Sequence, residues 1–367
     1  MLPICLCLLA LAFVMSLAAC RALVHFSPRL GHVDRPGTEQ HKAHARIVPN
    51  TGGLALVIAI APAMAVGLAV AWLWPEDSHG SGLGELARSL RDQTPAALAV
   101  LAAVLAMHVL GLFDDRRGLA IWIKFVVEFA VAGALATFFD MRVFEFLTFF
   151  GPAGIAACLI LSTLWLVAIT NAMNMLDNMD GLAAGVGAIV AVLYLAATLI
   201  GGQWVVAATC ALLAGSLGGF LVFNFPPARL FMGDAGSLVL GLLLAVISVR
   251  TTYINMPTPQ PPSVWYAALM PLVILAVPLY DLASVTLIRL SAGRSPFAAD
   301  HNHLSHRLVR MGLSRRAAVL VIWLTTAATG IGGIMLSTLA PWQAILVAVQ
   351  TATVLAVLAA LEWKRGG

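Results

Sequence analysis

AGIAACLILSTLWLVAITNAMNMLDNMDGLAAGVGAIVAVLYLAATLI, Ala153 to Ile200, decides how this chain folds. Two apolar runs, 153–170 and 186–200, flank a polar centre that begins at Asn171 and ends at Gly185. With their flanks, both runs reach the ~20 residues that a helix needs to cross a hydrocarbon layer of ~30 Å. Asn171, Asn174, Asp177 and Asp180 recur at every third residue, which places two amides and two carboxylates on one side of a continuing helical turn. An aspartate at the end of a spanning helix costs free energy unless it is solvated or used, so this stretch marks a candidate functional site.

The rest of the chain repeats the pattern. Of its 367 residues 61% are hydrophobic and 10% are charged, far from the ~25% charged residues of soluble domains. Eleven apolar runs are readable as spans: 2–24, 52–74, 95–113, 120–139, 153–172, 182–200, 204–223, 236–254, 264–288, 317–337 and 341–361. Only helices satisfy their own backbone in lipid at this length, and no alternating barrel pattern is present. The expected fold is therefore an all-α integral membrane protein, one polytopic domain over residues 1–367. Leu17-Ala18-Ala19-Cys20 resembles a lipoprotein cleavage box, but no basic segment precedes the run, so it is read as a first span. The five cysteines lie in apolar segments without metal-ligand spacing and read as buried packing residues.

Basic residues set the expected orientation. Seventeen of the 21 Lys and Arg fall on one side of an eleven-span layout. The positive-inside bias makes that side cytoplasmic, with the N-terminus outside and the C-terminus inside. The net charge of +4 follows from this bias and does not point to nucleic acid.

Several polar groups fall on the same side. The first loop carries Lys42, Arg46 and a Gly52-Gly53 pair, which reads either as an anion-accepting helix start or as ordinary positive-inside charge. Asp114 and Asp115 adjoin the third span; they suit a hard divalent cation, or form a turn neutralised by Arg116 and Arg117. Lys124 and Glu128, four residues apart, are placed to pair. Asn224 closes one span, and Gly233-Asp234-Ala235-Gly236-Ser237 opens the next beside Phe231. The last large loop holds His301, His303 and His306 with Arg294, Arg307 and Arg310. That set suits phosphate oxygens better than zinc, and on a regular helix His301 cannot share the face of the other two. Asp281 is placed to pair with Arg289 or to serve the site. Carboxylates for a metal, cations for phosphates and amides for a sugar or base are the inventory of metal-assisted phosphoryl transfer. A secondary transporter would instead carry its charges near the midplane, in matching halves that this sequence lacks.

These motifs resemble the polyprenyl-phosphate N-acetylhexosamine-1-phosphate transferases, relatives of the phospho-N-acetylmuramoyl-pentapeptide translocase. The likeness runs over about 34–312. It rests on K-x-H-x4-P-x2-GG at Lys42–Gly53, the Asp114-Asp115 pair, NAxNxxDNxDG at Asn171–Gly181, N-x-P-x5-MGDxGS at Asn224–Ser237 and the histidine loop at His303–His306. The resemblance implies transfer of a sugar 1-phosphate, with N-acetylglucosamine the favoured sugar, from a UDP-N-acetylhexosamine to a polyprenyl (undecaprenyl) phosphate, releasing UMP. Such a step initiates cell-envelope polysaccharides such as O-antigen; the muramoyl-pentapeptide reaction is the alternative. It implies Mg²⁺ or Mn²⁺ held by Asp234, with Asp114, Asp115 and Asp177 as further candidate ligands. Asp114 and Asp115 would bind or deprotonate the lipid phosphate. Asn174, Asp177 and Asp180 would hold the nucleotide, with Phe231 against the uracil, and Asn171 and Asn224 are further candidate substrate contacts. Lys42, His303, His306 and Arg307 would contact phosphates or sugar. The expected setting is the plasma (inner) membrane, with the site facing the cytoplasm and a homodimer as the candidate assembly. Ser305 stands where the hexosamine branch carries His, which bears on the donor sugar.

Overall fold

In a computed structural model the chain is a bundle of helices, described here for residues 1–27, 33–34, 48–75, 82–252, 268–297, 300–336 and 339–363. Its helices are α1 (Leu2–Phe26), α2 (Gly52–Leu73), α3 (Gly82–Asp92), α4 (Thr94–Arg117), α5 (Ile121–Phe138), α6 (Gly151–Leu176) and α7 (Leu182–Ile200). They continue as α8 (Trp204–Asn224), α9 (Asp234–Thr251), α10 (Leu269–Ile274), α11 (Ala276–Ser291), α12 (Leu304–Arg310), α13 (Arg315–Gly330) and α14 (Pro341–Trp363). A two-residue pairing of Val33–Asp34 with Val48–Pro49 is the one strand contact among the described residues.

Among the described residues ten segments are long and apolar enough to cross a membrane, and they coincide with ten of the eleven expected spans. The expected span at 264–288 is broken: α10 stops at Ile274 and α11 begins at Ala276. Pro278 causes the break, because it has no N–H for the carbonyl of Ile274 and its ring collides with that carbonyl in a regular helix. Between the second and third expected spans lies α3, whose Leu83, Leu86, Ala87 and Leu90 make one apolar helical stripe. Cys7 is exposed, unlike the other four cysteines, since it lies on the outer face of α1.

At the centre stands α9, in which every residue from Ala235 to Val249 is buried. It packs against α2, α4, α6, α7 and α8, with a smaller contact to α10. Small residues permit the approach: a Cβ on Gly241 would lie 2.6 Å from Thr170 Cα of α6, and one on Gly111 of α4 would lie 2.3 Å from Ala235 N. The first turn of α9 is thereby pressed against the last turns of α4 and α6, where the sequence puts its carboxylates.

Candidate active site

Asp234 opens α9, and the residue before it, Gly233, has φ +67°, a conformation that disfavours a side chain. The exposed amides of that first turn need acceptors. Asp115, one turn beyond Gly111 on α4, supplies both: Oδ1 accepts from Asp234 N at 2.9 Å and Oδ2 from Ala235 N at 3.1 Å. Asn50 Nδ2 donates to the same Oδ1 at 3.2 Å. His108, two turns earlier than Asp115 on α4, is buried and holds Ala235 O through Nδ1 at 2.9 Å. A carbonyl only accepts, so His108 carries its proton on Nδ1.

Lys124 of α5 sits between two carboxylates, with Nζ 2.5 Å from Asp114 Oδ2 and 2.6 Å from Asp234 Oδ2. Its expected partner Glu128 is buried instead against Asn171 Nδ2 of α6. The long Lys124 side chain reaches acceptors on α4 and α9, whereas Glu128 lies a turn deeper and meets only the amide. Asp114 Oδ1 also accepts from Leu119 N at 2.7 Å, fixing the turn after α4. Asn174 Nδ2 reaches Asp234 Oδ1 at 3.0 Å and Ser237 Oγ at 2.8 Å. Four helices thus deliver Asp114, Asp115, Lys124, Asn174 and Asp234 to one place.

The 171–181 motif does not continue as a helix. α6 ends at Leu176, Asp177 is its C-cap and Gly181 takes φ +74°. Asn171 and Asn174 therefore share a face, but Asp180 turns away and accepts Ala228 N at 2.9 Å. Asp177 is half-buried, and among the described residues no donor or cation meets its carboxylate. Burial, together with the carboxylates of Asp234, Asp115 and Asp180, holds it well above the ordinary carboxylate range. Asn224 links Gly181 N to Leu230 O, at 2.9 Å each, and so ties the motif to the segment before Asp234. Phe231 is half-buried there; its backbone pairs with Pro49 O and Gly52 N at 2.9 and 2.8 Å. Gly53 N likewise donates to Met232 O. The Gly52-Gly53 amides are spent on this contact, so the pair serves packing and is not an anion cradle.

The histidine loop folds under α11. Asp281 accepts His303 Nδ1 at 2.8 Å and Leu304 N at 2.7 Å, while Arg289 pairs with Asp300, not Asp281, at 3.1 Å. His301 approaches His306 more closely than His303 does, with ring centroids 5.0 Å against 6.5 Å apart. This reverses the expectation from a regular helix, because residues before Leu304 are extended. Burial and the neighbouring His301, His303, Arg310 and Arg315 push His306 down to about 4. It is thus a neutral imidazole at physiological pH. Arg307 is committed within the protein: Nη1 donates to Asn302 O and Nη2 to Ser284 Oγ, at 2.7 and 2.8 Å, and its guanidinium is ion-paired with Glu362, Nε to Oε2 at 3.0 Å. Ser305 is buried and donates to Asn178 Oδ1 at 2.5 Å. Lys42 lies outside the described residues.

Among the described residues no three His, Cys, Asp or Glu side chains converge as a closed metal cage. Mg²⁺ does not require one, since it takes one or two carboxylates and completes its shell with water and phosphate oxygens. The unpaired carboxylate of Asp177 beside Asp234 is a donor set of that kind.

Residues 97–252 match the family model for glycosyl transferase family 4, which takes in the Asp114-Asp115, 171–181 and Asp234 motifs. A Bacillus subtilis protein named "Probable undecaprenyl-phosphate N-acetylglucosaminyl 1-phosphate transferase" is 31% identical over 350 residues, covering 92% of this chain and 88% of its own length. The decaprenyl-phosphate N-acetylglucosaminephosphotransferase of Mycobacterium tuberculosis is 32% identical over 83% of this chain and 75% of its own. A phospho-N-acetylmuramoyl-pentapeptide-transferase of Lactobacillus delbrueckii is 31% identical over 61% of this chain and 70% of its own. Fold, site and likeness together define a polytopic membrane transferase. More narrowly, the chain belongs to glycosyl transferase family 4.

Proposed function

We propose that the protein transfers N-acetylglucosamine 1-phosphate from UDP-N-acetylglucosamine to a membrane polyprenyl phosphate. An oxygen of the lipid phosphate bonds to the β-phosphorus of the nucleotide sugar. The bond from that phosphorus to the bridging oxygen breaks, and UMP leaves with the electron pair. The observation that carries this reading is the meeting of Asp114, Lys124, Asn174 and Asp234, from four helices, beside the unpaired Asp177. Extensive likeness to proteins named for polyprenyl-phosphate N-acetylglucosamine transfer favours this donor over the muramoyl-pentapeptide, whose named relatives match less of the chain.

Phosphoryl transfer asks for positioning and charge neutralisation more than for covalent help. A phosphate monoester with a second pKa near 6 is already mostly dianionic at pH 7, so no strong base is required. Lys124 supplies the ammonium for phosphate oxygens. Asn174 orients Asp234, and Asp115 holds the backbone from which Asp234 projects. Asp177 and Asp234 would hold Mg²⁺ or Mn²⁺, which when bound neutralises the diphosphate. The excess of basic residues at this end supports a cytoplasmic site in a plasma (inner) membrane, with the N-terminus outside.

The test is UMP release by purified protein in detergent with polyprenyl phosphate and Mg²⁺. UDP-N-acetylglucosamine, its galactosamine epimer and UDP-N-acetylmuramoyl-pentapeptide are compared, with EDTA and Asp234→Asn as controls. Metal-dependent release with the first donor, lost in Asp234→Asn, is expected. Release only with the pentapeptide donor would transfer the protein to the other branch, and silence with all three from folded protein would overturn the reading.

A further inference from the structure

At the end of the bundle opposite Asp114 and Asp234 lies a surface cleft with a cavity volume of about 50 Å³. Its walls are Met64 of α2, Ala96, Ala97 and Val100 of α4, and Val205 and Val206 of α8; Val246 and Ile247 of α9 form its floor. Apart from Gln93 and Thr209, one polar group lines it: the guanidinium of Arg250. Arg250 lies sixteen residues after Asp234, about 24 Å along a helix at 1.5 Å per residue, which puts it at the headgroup level across the hydrocarbon layer.

The partners of Arg250 are sparse. Nη2 donates to the neutral Gln93 Oε1 at 2.5 Å, and no carboxylate among the described residues comes within ion-pair distance. Glu145 and Asp140 act on it only through space, and Asp140 is itself paired with Arg142 at 3.0 Å. A half-buried arginine at this depth, with donors to spare and an apolar trough beneath it, calls for an anion that carries its own apolar tail. We propose that this cleft is a binding site for one anionic phospholipid, its phosphate on Arg250 and an acyl chain against Val100, Val206 and Val246. The site is separate from the transfer chemistry and does not rest on the function proposed above.

The test is photolabelling of the full-length protein in nanodiscs of phosphatidylcholine doped with a diazirine-tailed probe, followed by peptide mapping. A phosphatidylglycerol probe is expected to label 93–100, 205–209 and 246–250 roughly tenfold more than a phosphatidylcholine probe with the same tails, the size of one charge-assisted hydrogen bond. Arg250→Gln should erase that preference and Arg250→Lys should keep much of it. Ala97→Trp, which fills the trough without touching the charge, should remove labelling by both probes. Equal labelling of the wild-type cleft by the two headgroups would overturn the proposal whether or not any variant folds. So would a preference that survives Arg250→Gln.

Discussion

Asp115 grips the amides of Asp234 and Ala235 with its two carboxylate oxygens, at 2.9 and 3.1 Å. It caps α9 from a neighbouring helix, a task usually done by the residue just before a helix begins. The adjacent acids are thereby unlike each other: Asp114 faces Lys124, while Asp115 faces backbone.

Asp115→Asn separates a cap from a base. The amide keeps one acceptor and turns an N–H₂ toward a backbone N–H, so a capping role predicts a stability loss of about 1–2 kcal/mol along with lower turnover. Thermal unfolding in detergent beside UMP release reads both. Lost turnover at unchanged stability would return Asp115 to the chemistry.

Removing the ammonium in Lys124→Met leaves Asp114 and Asp234 facing each other without the cation between them. Turnover should fall roughly 10²-fold or more, as for loss of a preorganised donor. Lys124→Arg keeps the charge with a different reach and should recover part of it. Wild-type rates in Lys124→Met would remove the residue from the site.

Ser305 fills a buried position and holds Asn178, the residue after Asp177. The larger imidazole of Ser305→His has to displace Asn178, so the relative rates with the N-acetylglucosamine and N-acetylgalactosamine donors should change, or KM should rise. Ser305→Ala loses only the hydrogen bond and should change KM less. If Ser305→His matches the wild type with both donors, the Asn178 contact has no part in donor binding.

Burial raises the Asp300 carboxyl, but hydrogen bonds from Arg289 and from Asn302 outweigh it and hold the group down to about 2. A carboxyl held below its unfolded value stabilises the fold above that value, near pH 4, and the contribution is lost as pH falls toward 2. The shift corresponds to about 2 kcal/mol. Unfolding temperatures measured from pH 6 to pH 3 should therefore fall more steeply for the wild type than for Asp300→Asn. Parallel curves would show that the pair does not anchor the histidine loop.

Lengths of apolar runs carried most of the fold, because backbone hydrogen bonding in lipid leaves a helix as the sole solution for such runs. The broken span at 264–288 escaped that reasoning: Pro278 is tolerated in lipid, and hydropathy alone does not register the bond it removes. In the site, Asp114, Asn174 and Asp234 were legible as polar groups at helix ends. Lys124 was not, since its acceptors lie on α4 and α9 and the nearest sequence partner, Glu128, gave a sufficient local explanation. Asp180 was misplaced because a three-residue spacing assumes a helix that Asp177 and Gly181 end. Arg307 is charged and beside histidines, yet its acceptors on three segments become visible only once α14 is folded against the loop.

The enclosure of α9 bears on how the protein is made. Of the helices against which it packs, α2, α4, α6, α7 and α8 precede it in the chain, and α10, with a smaller contact, follows. During synthesis from the N-terminus most of its cradle is therefore made before α9 emerges from the ribosome. Gly111 and the backbone at Thr170 are docking surfaces already in place when α9 arrives, and Asp234 is carried to them at its N-terminus. Assembly order and the geometry of the acidic cluster are written in the same run of sequence.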